Sequence, residues 1–87
     1  MASYADGEGA SAFGATANAT GALATAVGRN SKALAKSASA LGDSASASAW
    51  GATALGVGAS ARADNSIAVG SAAVTEGRES TALGRRS

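Results

Sequence analysis

The chain has 87 residues and a net charge of +1, with 7 basic and 6 acidic residues interspersed and neither cysteine nor histidine. This excludes disulfides, thiolate or imidazole zinc sites, imidazole acid–base chemistry and the basic stripe that gathers phosphate backbones, so no nucleic-acid partner is expected. Ala, Gly, Ser and Thr account for 57 of the residues, a bias that belongs either to disorder or to a repetitive protein, and only internal order separates the two.

Order is present. Gly14, Gly28, Gly42, Gly56, Gly70 and Gly84 recur every 14 residues without a slip, dividing the chain into six units that each end on their glycine. In chain order, positions 3 to 5 of a unit predict a short strand. Positions 3 and 5 are small, as Ala17 and Ala19 illustrate, while position 4 varies freely as Tyr4, Asn18, Lys32, Ser46, Ser60 and Val74. Such alternation puts position 4 outside and positions 3 and 5 inside. Position 7, only Gly or Ala, predicts a turn.

Positions 10 to 13 predict a second strand that runs small, Ser or Thr, Ala, large apolar, with Ile67 the exception at position 11. The large residues at position 13, Phe13, Val27, Leu41, Leu55, Val69 and Leu83, are expected to be the structural core of a very thin roll, with position 11 on their face. Ala12, Ala26, Ala40, Ala54, Ala68 and Ala82 share the opposite face with position 10. They are expected to form a flat, exposed ribbon that another copy of the chain covers.

Two short strands per unit, stacked turn on turn, make a β-solenoid. A coiled coil is the competing architecture for a period of two heptads. It fails because only position 13 is reliably large where two heptads need four apolar seam positions. The 12 glycines would also cost about 1 kcal/mol each inside helices.

Stacked parallel turns bring equal positions within about 4.8 Å of one another. Arg29 then meets Asp43, Arg62 meets Glu76, Asp64 meets Arg78 and Lys36 meets Trp50. These are read as surface ladders worth about 0–1 kcal/mol each. Tyr4, Leu34 and Trp50, large residues at variable positions, are the candidate ligand surface, with packing onto a neighbouring chain as the alternative.

Asp6 and Glu8 alternate along a turn without a pocket or calcium-loop pattern, and Gly7-Glu8-Gly9 lacks the Lys and the helix of a phosphate loop. No catalytic, cofactor-binding or metal-binding residue is assigned, and neither enzyme activity nor a cofactor is expected. No apolar run approaches the roughly 20 residues of a membrane span, and no signal core opens the chain, so this segment is expected to make no direct membrane contact.

Asn65-Ser66-Ile67-Ala68-Val69-Gly70 resembles the NSVAIG-type motif of the YadA-like head domains of trimeric autotransporter adhesins. Ser80-Thr81-Ala82-Leu83-Gly84 and Thr53-Ala54-Leu55-Gly56 are weaker copies in phase with it. The resemblance covers essentially the whole chain, residues 1–87, as a single repeat domain. It implies an all-β fold, a left-handed parallel β-roll of six 14-residue turns, packed as a homotrimer around a threefold axis.

It also implies a cell-surface adhesin head segment of a Gram-negative bacterium, displayed at the outer membrane as a virulence factor. Such a segment attaches to host cells, to extracellular-matrix proteins of the collagen, fibronectin or laminin class, or to other bacteria. A purely structural spacer of a surface fibre stays open, as does another repetitive solenoid such as an ice-binding or phage fibre segment. The mixture of Ser, Thr and Ile at position 11 makes a poor flat ice-binding array. Arg85, Arg86 and Ser87 begin a seventh unit, as expected of a fragment excised from a longer fibre. The chain departs from the motif at position 9, where Asn65 stands alone among Gly9, Leu23, Ser37, Gly51 and Glu79.

Overall fold

The computed structural model describes residues 3–85; Arg86 and Ser87 of the expected seventh unit lie outside the described residues. Each unit contributes two strands. They are β1 (Tyr4–Ala5), β2 (Ser11–Phe13), β3 (Asn18–Ala19), β4 (Thr25–Val27), β5 (Lys32–Ala33), β6 (Ser39–Leu41), β7 (Ser46–Ala47), β8 (Thr53–Leu55), β9 (Ser60–Ala61), β10 (Ile67–Val69), β11 (Val74–Thr75) and β12 (Thr81–Leu83). The odd-numbered strands form one six-stranded sheet and the even-numbered strands another. All pairings are parallel and shifted by one unit, so that Tyr4 lies beside Asn18 and Asn18 beside Lys32. The result is a parallel β-solenoid of six turns, a slab with extents of 30 × 21 × 11 Å.

The unit divides into two halves of one strand and one turn each. In both halves an amide N–H leaving the turn donates to the carbonyl three residues back, as Ala24 does to Gly21 at 3.1 Å and Ser31 to Gly28 at 3.2 Å. The residue before that donor has a positive φ, 61° at Leu23 and 58° at Asn30. The glycine closing the unit is constrained differently. Gly42 has φ 129°, and a Cβ there would stand 2.6 Å from the Gly56 carbonyl oxygen one turn on. A side chain at this position would strike the backbone of the next turn, which explains why nothing but glycine occupies it.

The core is made of alanine. Positions 3 and 5 of one sheet and 10 and 12 of the other point inward, and Ala17, Ala19, Ala24 and Ala26, like their counterparts in the next turns, are fully buried. This corrects the expected faces of the second strand. Phe13, Val27, Leu41, Leu55, Val69 and Leu83 lie on the outside: Phe13 is 73% exposed and Leu55 41%, while Val27, Leu41 and Val69 are half-buried.

Conversely, Ala26, Ala40, Ala54 and Ala68 are 0% exposed, and Ala12 and Ala82 pack half-buried against the core. That column is the interior of the roll, so it is not available as a face between chains. The reason is steric. Tight turns hold the sheets so close that only small side chains, Ala with a few Ser and Thr, fit between them, and close-packed interiors do not stretch to admit larger ones.

Among the described residues, three buried polar side chains, Ser31, Ser66 and Thr75, interrupt this interior. Ser31 donates to the Gly28 carbonyl at 2.8 Å and Ser66 to the Ala63 carbonyl at 2.7 Å. The Thr75 hydroxyl on β11 donates to Ser66 Oγ at 2.7 Å, joining the two sheets through the core.

Candidate interaction surfaces

The two outer faces differ. The even-numbered strands present positions 11 and 13, and parallel register aligns each position into a column. A row of Ser and Thr, with Ile67, therefore runs beside a row of Phe, Val and Leu, with rungs about 4.8 Å apart. Ile67 is 41% exposed and Val57, just beyond the turn at Gly56, is 60% exposed. Parallel sheets are ordinarily covered on both faces. This one leaves a continuous apolar column bare, the kind of surface that marks a protein contact.

The odd-numbered strands present mostly polar side chains at positions 4 and 6. Arg62 Nη1 lies 3.3 Å from Glu76 Oε2, and Arg62 Nε donates to Ser60 Oγ at 3.1 Å. On the adjoining turns Arg29 Nε lies 3.9 Å from Asp43 Oδ2. The other two expected ladders do not form among the described residues. Asp64 makes no ion pair with Arg78, nor Lys36 a ring contact with Trp50, although their backbones stack. The Glu79 N–H donates to the Asp64 carbonyl at 2.9 Å and the Gly51 N–H to the Lys36 carbonyl at 3.0 Å. Backbone register therefore does not oblige long exposed side chains to meet.

Tyr4, Leu34 and Trp50 are all exposed, but they occupy three different positions on three different turns and are not gathered into one site. Leu23, 61% exposed, was missed as a surface feature. The available signal was its column, Gly9, Leu23, Ser37, Gly51, Asn65 and Glu79, which is too varied in size and charge to be interior.

A concave notch does exist on the polar side, lined by Asn30, Lys32, Ser44 and Ser46. The sequence marks Lys32 and Ser46 only as outward-facing. Among the described residues no three acidic side chains gather as for a metal ion, and no helix is long and apolar enough to cross a membrane.

The family model of the YadA head domain repeat, which holds two repeat copies, matches residues 5–31, 19–45, 33–59, 47–73 and 61–87. Each match begins one unit after the last, so the repeat is recognised in phase along the chain. No curated protein matches the chain.

Proposed function

The chain belongs to the family of YadA head domain repeats, and from that premise we propose that residues 1–87 form one domain, an adhesin head segment on a bacterial surface. In this reading three chains associate through the outer face of the even-numbered sheet. The observation that supports it is the bare apolar column of Phe13, Val27, Leu41, Leu55, Val69 and Leu83, which takes over the role expected of the alanines.

Turning that column toward a threefold axis removes it from water. The broad face of the slab, 30 × 21 Å, is of the same order as the roughly 800 Å² each partner buries in an ordinary stable interface. The polar sheet and the turn edges then face outward. They would meet host-surface or matrix proteins, of the collagen, fibronectin or laminin class, or other bacteria, through many weak contacts repeated on each chain.

Sedimentation tests the assembly. Wild type at micromolar concentration is expected at three times the 8.1 kDa chain mass. The Leu41→Asp/Leu55→Asp double variant, which charges the column, is expected to be a monomer that keeps its β circular dichroism. A monomeric wild type would sink the trimer. Retention of the wild-type trimer on immobilised matrix proteins or on cells tests adhesion, and a trimer retained by none of them would instead be a spacer.

A further inference from the structure

Asn30 and Lys32 flank Ser31, and Ser44 and Ser46 flank Ala45 one turn on; both flanked residues are fully buried. Asn30, Lys32 and Ser44 are exposed and Ser46 is half-buried, so all four flanking side chains stand on the outer side of the roll. Lys32 and Ser46 are register partners, and the Ser44 N–H donates to the Arg29 carbonyl at 2.8 Å, which fixes the two rungs against each other. Long side chains on one rung beside two serines on the next leave the hollow between them. The following rung continues it with Gly58, where a Cβ would meet nothing within 4 Å, and Ser60.

The chemistry of the hollow is one-sided. Among the described residues the ion pairs are Arg29 with Asp43 and Arg62 with Glu76, so Lys32 has no carboxylate partner. Asn30 Oδ1 lies against the Thr16 hydroxyl, and the Asn30 side-chain N–H groups donate to no other described residue. Ser46 spends its hydroxyl on no protein group, and Ser44 donates to Asp43 Oδ1 at 3.2 Å, a carboxylate already facing Arg29. One uncompensated positive charge thus stands beside two neutral groups with donors to spare, the Asn30 amide and the Ser46 hydroxyl, the complement of an oxyanion.

We propose that this notch binds an oxyanion carried on a saccharide, a carboxylate or a sulfate ester; the proposal rests on the adhesin reading and names the chemistry that one part of its outer surface recognises. The lysine ammonium is a point charge on a flexible stem and does not demand the planar geometry that a guanidinium would, so both oxyanions fit. One open, singly charged notch binds weakly, and display on each copy of an oligomer strengthens it through effective concentration.

The test is titration of the intact chain, followed by amide chemical shifts, with three probes: sodium sulfate, a sulfated heparin disaccharide and sialyllactose. The expected result is saturable shifts confined to the neighbourhood of Asn30, Lys32, Ser44 and Ser46 with at least one of the saccharides, and affinity about tenfold weaker in Lys32→Gln. Lys36→Gln, a lysine outside the notch, is expected to bind as wild type does.

The proposal is overturned if neither saccharide gives saturable shifts, if sulfate ion alone does so, or if Lys32→Gln and Lys36→Gln weaken binding equally. A chain that still attaches to matrix proteins or cells while binding neither saccharide overturns the notch and leaves the adhesin reading intact. Saccharide binding at the notch by a chain that attaches to no surface does the reverse.

Discussion

Gly9, Leu23, Ser37, Gly51, Asn65 and Glu79 occupy equivalent turn positions, and all have positive φ, 55° at Asn65 and 61° at Leu23, Ser37 and Glu79. The left-handed region costs a residue with a Cβ about 1–2 kcal/mol, and Asn is the side chain that tolerates it best. The Asn of the family motif is thus a turn residue here, and five residue types answer one backbone demand, which is why the column read only as variable. Leu23→Asn is expected to stabilise the fold by about 0.5–1 kcal/mol, visible in calorimetry as a rise of a few degrees in Tm. Gly42→Ala is expected to act oppositely, lowering stability by more than about 2 kcal/mol in urea titration, because its methyl group meets backbone that no rotamer change can clear. The strict recurrence of that glycine was legible from the sequence. Its cause was not, since the clashing atoms are one full turn away along the chain.

Strands were legible at the scale of the element, and their sidedness was only half so. Alternation with period two placed strands at positions 3–5 and 10–13, close to the observed ones, and showed which residues share a face. It carries no information on which face is inside; that depends on the gap between the sheets, a property of both turns together. The rule that large apolar residues are buried chose wrongly because the gap admits only small side chains, Ala, Ser and Thr. Neighbours on β8 make the point measurable. Ala54→Asp, a charge at a position 0% exposed, is expected to leave the chain unfolded by circular dichroism. Leu55→Asp is expected to stay folded, with its assembly weakened. The hydrogen bond between Thr75 and Ser66 gives a second measurement, since Ser66→Ala strands a buried hydroxyl and is expected to cost about 1–2 kcal/mol. Adding Thr75→Ala is expected to recover most of that loss in a double-mutant cycle.

For the molecule as a whole, the sequence led to the expectation that another copy covers the alanine ribbon, but the structure puts those alanines inside, and the apolar column left outside was not legible as a surface, for the steric reason above. The notch was not legible either, because it arises from unequal side-chain lengths on adjacent turns. The two-half construction of the unit supplies a prediction at this scale. Deleting residues 43–56, one whole unit, is expected to preserve both folding and assembly. Deleting 43–49 joins Gly42 to Trp50 and keeps every inward position small, yet puts Ala63 where a closing glycine must stand, with its methyl group against the backbone of the next turn. This half-unit deletion is expected to lose folding where the whole-unit deletion keeps it, which circular dichroism distinguishes.

Each turn offers the next the same hydrogen-bonding edge in the same register, so cross-section and length are independent variables. In the gene, a unit is a tandem segment with a whole number of codons. Recombination slipping between such segments adds or removes complete turns and leaves the reading frame, the interior and the surfaces unchanged. The length of the roll is then adjustable by copy number, in steps of about 4.8 Å per turn.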